Sequence, residues 1–439
     1  MILRNLTVRA AQIRDKSLPV IALSVLVSGS AWGEPLSTYT QRNLVATSAQ
    51  YQPQIIDPGI ANAWGIAIRP AGLGGHFWVT ANGNNTSNQF VGDVAGKPLS
   101  TDSLAYVQVA GPANQIGGGT PTGVVFNNSR QFQVTQSPSL GANLSAISAP
   151  AKFLFATDNG VISAWTERAS AASPDGFDWP LYSSAVIDRS GVGSQFFGLG
   201  LSRTGLLYAA DFGTAPALRV WNGLYQEQAS FKYPFANGNG ATPGDWVPFN
   251  VQVLESQNKE SVWVTYARSQ ADPNRSTQIL AGEEFAGRGE GRIAEFSLSG
   301  ELLRTCSGDG LLNAPWGLAI APVGFGQASG QLLVSNFGDG TMVRFDLGTC
   351  EAKDYLRNES SDPIAIEGIW GLQFGNGASL GEANRLYFAA GPEDEKAGLF
   401  GYLALNSSSV PLPGSLMLLG LGAFVMLGRQ FQQRLARHE

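Results

Sequence analysis

The chain has 439 residues, of which 44% are hydrophobic and only 14% charged, with a formal net charge of −6. Its 54 glycines and 23 prolines are too many for a helical protein and suit short strands joined by turns. The first 33 residues carry +3 and residues 410–439 carry +2, which leaves −11 on the body between them and excludes nucleic acid as a partner.

In chain order, Arg4, Arg9, Arg14 and Lys16 precede the apolar run Leu18 to Val27 and the small-residue stretch Ser28-Gly29-Ser30-Ala31-Trp32-Gly33. A basic start, a short apolar run and Ala31 at the −3 position read as an export signal over residues 1–33, cleaved after Gly33. The run is too short to span a bilayer comfortably. Next comes a strand-like segment, Tyr39 to Val45, with no local partner.

A repeat then begins. Ala63-Trp64-Gly65-Ile66-Ala67-Ile68 recurs as Pro315-Trp316-Gly317-Leu318-Ala319-Ile320 and as Ile369-Trp370-Gly371-Leu372-Gln373-Phe374. Weaker copies stand at Thr122-Gly123, Phe197-Gly198 and Pro248-Phe249-Asn250-Val251. Apolar residues two apart give each copy the period of a strand. A second strand follows each, from Phe77-Trp78-Val79-Thr80-Ala81 in the first unit to Leu386-Tyr387-Phe388-Ala389-Ala390 in the last. Five of the six second strands run into a turn signal such as Asn82-Gly83 or Asp158-Asn159-Gly160. The fourth has a long insert instead, about Arg268 to Gly291, whose Gly287-Arg288-Gly289-Glu290-Gly291 reads as a flexible segment.

Six such units predict an all-β fold, a six-bladed β-propeller over residues 34–406. A residue without Cβ permits close backbone approach where inner strands crowd the axis, and the neighbouring Trp supplies surface for packing between blades. The last unit ends at Leu405 with three evident strands, so Tyr39–Val45 is expected to complete it and close the ring.

Residues 407–439 form a tail. Leu412 to Gly428 carries no charge and is about as long as the shortest membrane-spanning helix. Arg429, Arg434 and Arg437 follow it and would stay cytoplasmic, which places the body outside the cytoplasm. In that oxidising setting the two cysteines, Cys306 and Cys350, form a candidate disulfide.

The tail Val410-Pro411-Leu412-Pro413, the apolar stretch and Arg429 together resemble the PEP-CTERM sorting signal of Gram-negative bacteria, with Pro411-Leu412-Pro413 where Pro-Glu-Pro is usual. That resemblance implies an exosortase-type sorting protease as partner and delivery to the cell envelope, surface or extracellular matrix. Asn62-Ala63-Trp64-Gly65, Ala314-Pro315-Trp316-Gly317-Leu318 and Leu386 to Glu395 resemble an uncharacterised family of bacterial propeller proteins that often carry this tail. It implies the six-bladed fold and transfers no activity.

Little in the sequence points to catalysis. Only His76 and His438 exist, and His76 reads as an exposed loop residue. No nucleophile elbow, phosphate loop or dinucleotide fingerprint is present. Oxygen ligands remain. In an antiparallel blade, the lead-in to the first strand and the hairpin after the second emerge on one face. That face would gather Asn62, Asn313 and Glu367 near the axis, with Asp158, Asp211, Asp339, Glu393 and Asp394 around them.

Two readings follow. One is an exported, non-enzymatic propeller that binds a glycan or another protein, with no cofactor. The alternative is a calcium-dependent lactonase- or esterase-like hydrolase that uses the axial face, with Ca2+ as its metal. An axis lined by apolar groups and satisfied amides would count against the hydrolase.

Overall fold

In the computed structural model, residues 36–140, 144–232, 234–235 and 241–406 are described. The predicted export signal (1–33), the apolar stretch 412–428 and the sorting motif Val410, Pro411, Leu412, Pro413 and Arg429 lie outside them. No helix among the described residues is long and apolar enough to cross a membrane.

Six antiparallel sheets follow one another along the chain as blades. Their inner strands are Ala63–Ala67, Pro121–Phe126, Phe196–Leu201, Trp246–Ser256, Pro315–Ile320 and Ile369–Phe374. Blade 6 is completed by the N-terminal strand Tyr39–Ala46, antiparallel to Leu399–Leu405 from the other end of the described chain. The pair Ile55–Ile56 then adds in parallel outside it.

The inner glycines mark where one blade's backbone meets the next. A methyl group on Gly65 would lie 2.5 Å from the Thr122 carbonyl oxygen, and one on Gly123 2.7 Å from the Leu199 amide nitrogen. On Gly198 it would strike Asn250, on Gly317 the Trp370 carbonyl at 2.4 Å, and on Gly371 the Trp64 carbonyl at 2.4 Å. Blade 4 has Asn250 at this place. The Asn250 amide reaches blade 5 instead, donating to the Trp316 carbonyl at 2.8 Å. The contacts therefore run once round the ring and return to blade 1.

Pairing with the second strand is interrupted at this level in every blade. Such a bulge frees a backbone N–H, which needs another acceptor. In blade 1 the Thr80 hydroxyl accepts from the Gly65 N–H at 2.7 Å and donates to the Thr122 carbonyl of blade 2 at 2.6 Å. Ser335 repeats the relay between Gly317 and the Trp370 carbonyl, both at 2.7 Å.

Six apolar clusters fill the gaps between successive blades, and a seventh sits on the axis. Cys306 and Cys350 are bonded to each other across the cluster between blades 4 and 5, with Cα atoms 5.4 Å apart.

Two expectations need correction. The insert at 268–291 is ordered. Strand Lys259–Asp272 runs on and turns back as Arg275–Phe285, and Gly291 opens the next strand. Its glycine-rich end is held by Gly289 N–H on the Leu312 carbonyl at 2.7 Å and by the Arg268–Glu290 ion pair, also 2.7 Å. His76 is not an exposed loop residue. It is 6% exposed, because Asp102 folds over it with an oxygen 2.5 Å from Nε2 and Trp179 packs edge-on.

Two measurements check this frame. Gly371→Ala forces a methyl group into the blade 1 backbone and should lower stability by about 1–3 kcal/mol, read as the urea midpoint. Reducing the disulfide should cost about 2–4 kcal/mol, read in the same assay with and without dithiothreitol.

Candidate functional site

In blades 1, 3, 5 and 6 the bulge at the inner glycine also turns the aromatic residue before it toward the axis. Trp64, Phe197, Trp316 and Trp370, joined by Phe249 of blade 4, gather there as one buried cluster. Trp64 and Trp370 stack at 3.7 Å, Phe337 stacks on Trp370 at 3.9 Å, and Trp316 meets the first two edge-on. The tryptophans therefore plug the axis, whereas the sequence suggested packing between blades.

Asn62 locks this plug. Its Oδ1 accepts from the Trp64 indole at 2.7 Å and from the Trp370 indole at 3.2 Å, while its amide donates to Glu395 at 2.8 Å. A backbone φ of +48° at Asn62 lets the side chain fold back onto its own strand.

Above the plug lies a cavity of about 360 Å³ lined by Trp64, Phe197, Trp370, Asp158, Gln195 and Glu395, with Ala281 to Glu284 of the blade 4 hairpin facing them. The hairpin crosses from blade 4 to blade 3, where the Gly282 N–H donates to the Phe212 carbonyl at 3.0 Å. Ile279 sinks into the axial cluster. A second cavity of about 350 Å³ adjoins it, shares Glu395, and adds Glu367 and Asp394. On the opposite face a mouth of about 240 Å³ is lined largely by the apolar ends of the inner strands, including Ile66, Val124 and Leu199.

The two cavities under the hairpin hold six carboxylates and no Lys, Arg or His in their lining. Burial raises the Asp158 carboxyl, against hydrogen bonds from Thr120 and Asn82. Burial likewise raises Glu395, opposed by Asn62 and assisted by the charges of Asp158, Glu283 and Asp394. Glu284 is pushed up to about 7, by burial first and then by Glu395 and Glu283. Glu393, Asp394 and Glu395 all have left-handed backbone, with φ of 60°, 51° and 65°. Three such residues in a row, none of them glycine, store strain of the kind that gathers at functional sites.

The residues expected from sequence fall partly here. Asn62 and Asp158 lie at the chamber, and Glu367 is an exposed rim group whose Oε1 accepts from the Glu393 N–H at 3.0 Å. Asn313 accepts from the Gly287 N–H at 2.7 Å and donates to Asp339 at 3.0 Å. Asp339 also accepts from the Thr341 N–H and hydroxyl. Asp211 is buried under Arg219 at 2.5 Å and receives the N–H groups of Gln195 and Gly213. They do not converge on one point, and among the described residues no group of three His, Cys, Asp or Glu is placed to hold a metal ion.

Sequence reasoning missed Glu283, Glu284 and Glu395. The turn signal Gly391-Pro392 and the expected place of Glu393 and Asp394 on this face pointed toward the last. A further cavity, about 870 Å³, opens away from the axis between blades 4 and 5, where Arg304 is already paired with Glu295 at 2.6 Å.

Fold and site thus define a six-bladed propeller with a plugged axis and an acidic chamber on one face. Two uncharacterized proteins of Acanthamoeba polyphaga mimivirus are similar to it. One is 27% identical over 360 residues, covering 82% of this chain and 78% of the relative. The other is 26% identical over 350 residues, covering 79% and 81%. Among solved structures, the apo-form of the soluble aldose sugar dehydrogenase from Escherichia coli aligns with 84% of this chain and 100% of its own, at 14% identity and a TM-score of 0.40. No family model matches. The expected membership of a bacterial PEP-CTERM-bearing family is overturned by these viral relatives. Trp-Gly pairs are what a crowded axis demands of an inner strand, so they indicate the fold and not a lineage.

Replacing Asn62 with Ala leaves two buried indole N–H groups without their acceptor. Stability should fall by about 2–4 kcal/mol, measured by urea denaturation, with native-like far-ultraviolet dichroism before the transition.

Proposed function

We propose that this chain is an extracytoplasmic binding propeller that holds a small organic cation in the axial chamber. The observation that carries the reading is the chamber's charge: carboxylates stand on both its roof and its floor with no basic residue in the lining. A cation entering there relieves their mutual repulsion and gains strength where Asp158, Glu284 and Glu395 are withdrawn from water and charges are poorly screened. The basic and apolar N-terminal stretch, the apolar tail and the disulfide agree with a place outside the cytoplasm.

A glycan fits less well. Sugar rings stack on open aromatic faces, and here Trp64 is covered by Trp370, which is covered in turn by Phe337. A calcium-dependent hydrolase fits less well too, because Asn62, Asn313, Asp211 and Asp339 already have their oxygens on protein donors.

Thermal unfolding with added spermidine, maltose or calcium chloride separates the three. Spermidine at a hundred times its dissociation constant should stabilise the protein by about 2.7 kcal/mol through linkage. The effect should shrink in Glu283→Gln/Glu284→Gln. A shift with maltose or calcium and none with spermidine would overturn the reading.

A further inference from the structure

The hairpin's construction carries a second conclusion, independent of which molecule the chamber takes. Its two strands, Lys259–Asp272 and Arg275–Phe285, reach past the body of blade 4 and span the face of the axis. Among the described residues the far strand is tied to the ring by the Gly282 N–H on the Phe212 carbonyl at 3.0 Å, by Ile279 in the axial cluster, and by the close approach of Gln195 to Gly282. Against these stands a row of like charges. Glu283 and Glu284 on the hairpin face Asp158 of blade 2 and Glu395 of blade 6 across one cavity.

We propose that this hairpin is a charge-operated lid: like charges on Glu283 and Glu284 and on Asp158 and Glu395 drive it off the axis, and neutralising them lets it close.

Among the described residues no Lys, Arg or His lines these cavities, and Arg288, beyond the far strand, donates to the Gly310 carbonyl at 3.1 Å. On the hairpin's own element, Arg268 is engaged by Glu290 and Arg275 by Asp272. Blade 3 offers the neutral Gln195, with Arg219 bound to Asp211 and Glu227. Blade 6 adds Glu367 and Asp394, and its one cation nearby, Lys396, is exposed and lies 3.5 Å from Asp394. Blade 1 contributes only Trp64 to this lining.

The direction with pH follows from the raised carboxyls. Closure favours their protonated forms, so it is complete below the ordinary carboxylate range and is lost as pH rises through about 7, where Glu284 ionises. Asp158 and Glu395 are raised as well and act in the same direction.

Hydrogen exchange of the full chain, followed by mass spectrometry on peptides covering Arg275–Phe285, reads the opening directly. After correction for the intrinsic rate, protection there should fall at least about tenfold between pH 5.5 and 8.5, while inner-strand peptides such as Pro315–Ile320 hold theirs. Adding 0.5 M sodium chloride should blunt the fall by screening the repulsion. Glu283→Gln/Glu284→Gln should keep its protection at pH 8.5. Flat protection in the unaltered protein would overturn the proposal, and so would an equal fall in the double variant or in every peptide alike. The wild-type titration and its salt arm stand without the variant, so a variant that fails to fold does not remove the test.

Discussion

Six strands can converge on one axis only where their backbones touch, and touching requires a residue with no side chain. Everything else in this molecule follows from that contact. Gly65, Gly123, Gly198, Gly317 and Gly371 each press against the next inner strand, and Asn250 bridges the single place without a glycine. The closeness breaks the ladder to the second strand, so hydroxyls such as Thr80 and Ser335 take the freed N–H and pass a hydrogen bond to the neighbouring blade. The ring is thus joined by backbone contact, polar relay and apolar filling at the same level.

The same bulge makes the site. One extra residue in a strand reverses the face on which the following side chains fall. The aromatic residue before Gly65, Gly198, Gly317 and Gly371 therefore turns onto the axis, where an unbulged strand would point it between blades. Five aromatic residues close the channel, and a plug with one acidic side and one side whose mouth is lined by no carboxylate divides the molecule into unlike faces. The hairpin of blade 4 then converts the acidic side from an open dish into a chamber.

Much of the fold was legible because its causes are local. Gly within a period-2 apolar run, Asx-Gly turns and a leading strand without a partner each speak through nearest neighbours in sequence, and together they imply the six blades and their closure. The chamber was less legible because its causes are distant. Glu283 and Glu284 lie in an insert whose sequence, Arg275 to Phe285, lacks clean alternation, since the strand leaves its sheet and rests on other blades. His76 looked like a loop residue because Asp102, which buries it, comes from a different connection. Asn62 was found as a polar residue near the axis, but its use as an acceptor for two indoles depends on Trp370, 308 positions away.

The central claim is that ligand recognition belongs to the acidic side of the plug, beneath the hairpin. The most direct measurement is a crystal structure of the protein soaked with spermidine. The account predicts difference density above Trp64 and Trp370, with nitrogen atoms within hydrogen-bonding distance of Glu284 and Glu395. Density confined to the opposite mouth, against Ile66, Val124 and Leu199, would contradict it, as would an empty chamber at full occupancy elsewhere.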